Sequence, residues 1–152
     1  MMTKDVKKPP TATLAETADC ACLNLRMAAR AVTQMYDNVL KPSALKATQF
    51  SVLAAVAHAG PASMTTVSRA LVMDRTTLTR NLKPLLQRGL VAAATGGDRR
   101  QRTIAVTPKG EAVLAAALPL WKKAHGQIVD GVGAARWQGV MRLLQETIRL
   151  SQ

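Results

Sequence analysis

The residues of this chain best suited to chemistry are hydroxyls and guanidinium groups gathered on one stretch, Met73–Gly89 (MDRTTLTRNLKPLLQRG). At about 100° per residue, Thr76, Thr77 and Arg80 fall on one face and Leu78, Leu82, Leu85 and Leu86 on the other. Asp74 suits the N-cap of such a helix, and Gly89 stands where a left-handed residue closes one. One face is therefore built for a core. The other carries groups that read base edges and hold phosphates when a helix lies in a major groove. An ordinary amphipathic surface helix has the same stripe, so the rest of the chain must decide.

A second cluster follows closely. Leu90–Thr95 and Thr103–Thr107 are short runs of small and β-branched residues, which predict two strands. Between them lies a Gly-rich loop bearing Arg99, Arg100 and Arg102, so the pair predicts a β-hairpin wing. Behind a basic helix, three arginines at a wing tip suit a narrow minor groove. Asp98 is expected to pair with an arginine of its own loop rather than to approach DNA.

Charge supports a polyanionic partner. The 152 residues carry 21 Lys and Arg against 9 Asp and Glu, a formal net charge of +12. From Ser63 to Gly110 there are nine basic residues and two acidic ones. Other chemistries find less support. No Walker loop, zinc-protease motif, nucleophile elbow or well-placed carboxylate pair is present, so an enzyme is not expected. Cys20, Cys22, His58 and His125 lack any metal-ligand spacing, so neither a metal nor a cofactor is expected. If both lie on one helix, Cys20 and Cys22 are nearly opposite each other, a poor geometry for a disulfide. No apolar run is long enough for a bilayer and the first residues lack a signal-peptide core, so a cytoplasmic protein without membrane association is expected.

The elements that must position these groups are mostly helical. Hydrophobic content is 48% with only 3% aromatics, much of it alanine, which favours helices. Residues 1–13 read as a flexible basic tail. Leu14 to about Leu40 reads as one long helix, with Leu25, Ala28, Ala29, Val32, Tyr36 and Leu40 on a face, ended by Lys41-Pro42-Ser43. Thr48 is the expected cap of the next helix, with Phe50, Leu53, Ala54, Val56 and Ala57 inward and Gly60-Pro61 as its stop. A short helix over Met64–Leu71, with Val67, Ala70 and Leu71 inward, joins the opening stretch through Val72-Met73 as a helix-turn-helix. Pro84 should bend the second of these two helices. Thr107-Pro108 restarts a helix that runs to the Gly131/Gly133 break, with Pro119 as a bend. Trp137, Val140, Met141, Leu144 and Ile148 then form the apolar stripe of a last helix.

The expected fold is mainly α with a small β-hairpin wing: a winged helix-turn-helix over 47–107, flanked by dimerisation helices over 14–46 and 108–152, one structural domain in all. The flanking helices offer more apolar face than one winged domain can cover, and a two-fold dimer is the expected use of the surplus.

Three segments carry a family resemblance: Met73-Asp74-Arg75-Thr76-Thr77-Leu78-Thr79-Arg80, Gly97-Asp98-Arg99-Arg100-Gln101-Arg102 and Val106-Thr107-Pro108-Lys109-Gly110. Together they resemble the MarR family of bacterial transcriptional regulators, from about Leu14 to the C-terminus. The resemblance implies a homodimer that binds a palindromic operator in double-stranded DNA, usually as a repressor, and that a small ligand or an oxidant releases. It matches Thr76, Thr77 and Arg80 to the groove-reading face, Arg75 to a position at that helix's N-terminus and Arg100 to the wing arginine; Thr79, Arg99 and Arg102 of the same two segments are further candidate DNA contacts. Cys22 through Tyr36 further resembles the sensing helix of the organic-hydroperoxide regulators, the OhrR branch, in which tyrosines orient an oxidisable cysteine. Arg26 and Ala47 stand where that branch has tyrosines. The family's ligand pocket would instead draw on Arg26, Tyr36, Trp121 and His125, a set suited to an aromatic acid. A small-molecule inducer is the favoured reading, since the oxidant route needs a supported thiolate and only Tyr36 of the expected tyrosines is here. A thiol switch at Cys22 is the alternative, and a non-specific nucleoid-type binder the alternative of another class.

Overall fold

The computed structural model describes residues 16–94 and 103–151. The basic tail and the wing-tip arginines Arg99, Arg100 and Arg102 therefore lie outside the described residues. The chain divides into two compact units, 1–34 and 35–152.

A 3-10 turn, Glu16–Asp19, precedes helix α1, Ala21–Leu40. The expected single helix from Leu14 is thus broken at Cys20, where the Asn24 side-chain amide donates to the carbonyls of Ala18 at 2.7 Å and Cys20 at 3.0 Å. Cys20 consequently lies outside α1 and Cys22 in its first turn, so the two cysteines are not opposed on one helix. Only Leu40 of α1 is buried.

The second unit holds the core. After a 3-10 turn over Lys41–Ser43, Ala44 takes a left-handed conformation (φ 55°) and Leu45 is buried. Helix α2 spans Ala47–Ala59. It starts before Thr48, the expected cap, because other groups satisfy its first donors. Asp37 Oδ1 accepts from the Ala47 N–H at 2.7 Å, and Gln49 Oε1 accepts from the Lys46 N–H at 3.0 Å. Phe50, Val52, Leu53 and Val56 are buried, whereas Ala57, in the last turn, is exposed.

Strand β1, Ala62–Ser63, leads into helix α3, Met64–Ala70, whose N-cap Ser63 accepts from the Thr66 N–H at 3.1 Å. Val67 of α3 is buried and Leu71 half-buried, but Ala70 is exposed at the end of this seven-residue helix. The turn runs through Val72 at φ 51°, a left-handed conformation that strains a β-branched residue, and reaches helix α4, Arg75–Gln87. Strands β2, Val91–Ala94, and β3, Thr103–Val106, pair antiparallel with Val91 opposite Val106 and Ala94 opposite Thr103. β1 adds itself to the other side of β3, Ala62 opposite Ile104, giving the order β1-β3-β2. The sheet thus has three strands rather than the two of a bare hairpin. Two residues carry no periodicity, so nothing in the sequence announces β1.

Helix α5, Pro108–Val132, and helix α6, Ala134–Leu150, meet at Gly133, whose φ of 89° is ready for glycine and costly for other residues. One buried cluster joins Leu40, Leu53, Val67, Leu82, Ile104 and Ala117, so the C-terminal end of α1 and helices α2 through α5 share a core. No residue of α6 is buried; Leu143 is 65% exposed and Leu150 76%. No helix among the described residues is long and apolar enough to cross a membrane.

Candidate nucleic-acid interface

Helix α4 begins where Asp74 terminates extended chain and turns its carboxylate back on the first turn. Oδ1 accepts from the Thr77 N–H at 2.8 Å and Oδ2 from the Thr77 hydroxyl at 2.6 Å. These two bonds, the hydroxyl's first, hold the Asp74 carboxyl below the usual aspartate range, with a smaller contribution from the charge of Arg80. Thr77 is half-buried and its hydroxyl proton is committed to the cap, leaving only acceptor capacity to offer. The Thr79 hydroxyl donates to the Arg75 carbonyl at 2.7 Å. Arg75, Thr76, Thr79 and Arg80 are all exposed and line one shallow concavity of about 340 Å³. Four of the five reading-helix residues thus share an open surface. The fifth, Thr77, serves the cap.

The opposite face keeps that surface turned outward. Leu78, Leu82 and Leu85 are buried in the core. Leu86 is not: it is 45% exposed, on the border of the stripe some 80° from Leu78. There it lines a mainly apolar cleft of about 520 Å³ with Met64, Lys83, Ala93 and Ile104, between α4 and the sheet. Pro84 lies inside α4 without ending it, and its carbonyl still accepts from the Arg88 N–H at 3.1 Å. Gly89 closes the helix at φ 67°, and the Leu90 N–H returns to the Leu85 carbonyl at 2.9 Å.

The segment Val106–Gly110 fastens this helix end to α5, a role that sequence reasoning missed although the motif itself was the signal. The Thr107 hydroxyl donates to the Gly89 carbonyl at 2.7 Å and accepts from the Gly110 N–H at 3.0 Å, capping α5 while holding the chain behind α4. The Lys109 ammonium donates to the Arg88 carbonyl at 2.8 Å. A Cβ on Gly110 would collide with the Leu90 carbonyl, so only glycine allows α5 to start this close to the β2 entry.

A separate cluster gathers three of the proposed ligand residues. His125 stacks on Trp121 at 5.0 Å with the planes 5° apart, and Tyr36 Oη lies 3.4 Å from His125 Nδ1. Phe50 also stacks on Trp121, at 6.1 Å, and Trp137 meets His125 edge-on at 5.7 Å. Burial raises the Tyr36 phenol above its ordinary pKa. Phe50, read from the sequence as core, and Trp137, read as part of the last helix's dimerisation stripe, thus join Tyr36, Trp121 and His125. Arg26 and Cys22 belong to the other unit, where Cys20 and Cys22 are exposed free thiols.

Comparison with known proteins bears on this arrangement. Residues 45–101 match the sequence pattern of the MarR family. The transcriptional regulator MosR of Mycobacterium tuberculosis, solved in complex with DNA, is 36% identical with a TM-score of 0.75, over 88% of this chain and 100% of that one. Bordetella bronchiseptica BpsR, whose DNA binding is regulated by 6-hydroxynicotinic acid, shares the fold at 24% identity (TM-score 0.77; 87% of this chain, 96% of that one). An uncharacterised HTH-type transcriptional regulator of Bacillus subtilis, YwoH, is 28% identical over 87 residues, 57% of this chain. The chain spans 64% of YwoH, just under two thirds of that curated relative. The matched segment contains α4 and its cap, and the likeness to MosR extends along that protein's entire chain: this chain belongs to the MarR family of transcriptional regulators.

Proposed function

We propose that the chain acts in the cytoplasm as a homodimeric, sequence-specific DNA-binding regulator, a repressor that a small molecule releases from a palindromic operator. The observation that carries this reading is α4. Leu78, Leu82 and Leu85 are anchored in the core, while Arg75, Thr76, Thr79 and Arg80 stand together in solvent at its capped, N-terminal end. A helix held this way can enter a major groove with its polar side forward, and a wing carrying Arg99, Arg100 and Arg102 would then follow the adjoining minor groove. MosR, a regulator solved with DNA, lends its precedent. The relatives named above are regulators rather than enzymes.

The experiment is to select duplexes from a random pool and measure binding by anisotropy with competitor DNA at physiological salt. A specific site should survive competition, and Arg80→Ala should cost about 1–3 kcal/mol while relaxing preference at one position of each half-site. Binding that vanishes under competition, with equal losses on every sequence, would identify a charge-only nucleic-acid binder instead.

For the signal, BpsR and its aromatic acid favour a small molecule, with the Tyr36–Trp121–His125 cluster as the first place to look for an aromatic ligand. A thiol switch is the second reading, favoured by the exposure of Cys20 and Cys22 at the start of α1. Wild type released from DNA by mild hydroperoxide and restored by reductant, with Cys22→Ser unresponsive, would replace the ligand reading with the thiol one.

A further inference from the structure

The corner between α1 and α2 is gripped from two directions. From α1, Asp37 accepts the Ala47 N–H at 2.7 Å through Oδ1 and faces the Lys46 ammonium at 3.4 Å through Oδ2. From the end of α4, the Arg88 guanidinium donates through Nη1 to the Ala44 carbonyl at 2.7 Å, across 44 residues of sequence. Ala44 is itself fixed, left-handed at φ 55° with its N–H bonded to the Lys41 carbonyl at 3.0 Å, and buried Leu45 follows it. The backbone of Arg88 is tied as well, its carbonyl accepting from Lys109 at 2.8 Å.

In so basic a stretch an arginine invites assignment to a phosphate. Here its guanidinium points at a carbonyl of the protein, at the end of α4 remote from the Arg75–Arg80 surface. That end is tied both through the Arg88 side chain and through its carbonyl. From Arg75 to Arg88 α4 is roughly 20 Å long, so a tilt of about 10° about its C-terminus carries the reading end by about 3 Å, close to one base-pair step.

We propose that Arg88 is a positioning residue for DNA recognition: its bond to the Ala44 carbonyl sets the angle at which α4 is presented, and with it the half-site separation the dimer accepts. Asp37 acts on the same corner from the α1 side. The inference rests on the regulator reading above.

Its test uses the 152-residue chain and the palindrome that the wild type selects from a random pool, alongside duplexes with one base pair inserted or deleted between half-sites. Arg88→Met keeps the aliphatic stem and removes donor and charge. It should bind the selected spacing about three- to thirtyfold more weakly and lose its preference over the altered spacings. The dependence of affinity on salt should stay as in wild type, and Arg88→Lys should restore most of the loss. Asp37→Ala should also weaken spacing discrimination, although removing an acidic charge would by electrostatics alone tighten binding. A salt slope reduced by about 0.9 per lost phosphate with spacing preference intact would make Arg88 a phosphate contact and overturn the proposal. So would an Arg88→Met protein indistinguishable from wild type. If Arg88→Met shows no cooperative thermal transition, Asp37→Ala decides, and an unchanged preference for the selected spacing in it overturns the proposal. A wild type that selects no duplex refutes the regulator reading instead.

Discussion

Protonating Asp74 takes away the charge and one of the two acceptor oxygens that order the first turn of α4, and so loosens the placement of Arg75 and Thr76. Because hydrogen bonds from Thr77 hold its folded-state pKa below the unfolded value, its contribution is fully present above the ordinary aspartate range and drains away as pH falls through and below it. Amide exchange in the first turn of α4 should therefore accelerate below about pH 4 in the wild type. Asp74→Asn should keep much of the cap, since an amide oxygen still accepts from the Thr77 N–H, but lose this pH dependence; Asp74→Ala should fray the turn at every pH. An unchanged acid profile in Asp74→Asn would mean that another carboxylate governs the turn.

At the scale of the element, α4 works because its two faces differ in what they touch. Leu82 is buried among core side chains and Leu86 stands at the lip of a cleft, although both fit the same helical stripe in the sequence. Leu82→Ala should cost about 2–5 kcal/mol, the range for emptying a packed leucine site. Leu86→Ala should cost well under half of that, because water already reaches much of the side chain. Equal midpoint shifts in urea unfolding would show that the cleft closes over Leu86 in solution. The helix-turn-helix corner adds a stress of its own, since Val72 holds a left-handed conformation that glycine would adopt freely.

At the scale of the whole molecule, apolar surface remains that one chain does not cover. Helix α6 buries none of its 17 residues, and Met141, Leu143, Ile148 and Leu150 are exposed. On the proposed reading a second copy covers this face. Leu144→Asp would place a charge in that seam, so it should lower the dimer fraction in sedimentation equilibrium and the affinity for a palindrome together. A wild type that sediments as a monomer, or a variant that stays fully dimeric, would move the interface elsewhere.

What the sequence determined by itself was what neighbours along the chain can decide. The leucine stripe and polar face of α4, Asp74 and Gly89 at its ends, Thr107-Pro108 opening α5 and Gly133 closing it all depend on contacts within a few residues. Hydrophobic periodicity and capping report such contacts directly. The exposed polar face of α4 was legible for that reason, apart from Thr77, whose hydroxyl the cap takes up. Tertiary structure decided whatever needed a distant partner. Asp37 rather than Thr48 caps α2 because α1 delivers a carboxylate there, and β1 exists only because β3 lies beside it. Arg88 reaches Ala44, and Phe50, Trp121, His125, Trp137 and Tyr36 meet from four helices. Each of these bonds joins groups that sequence leaves free to choose other partners, so only the packed chain, with its donors satisfied and its space filled, selects among them.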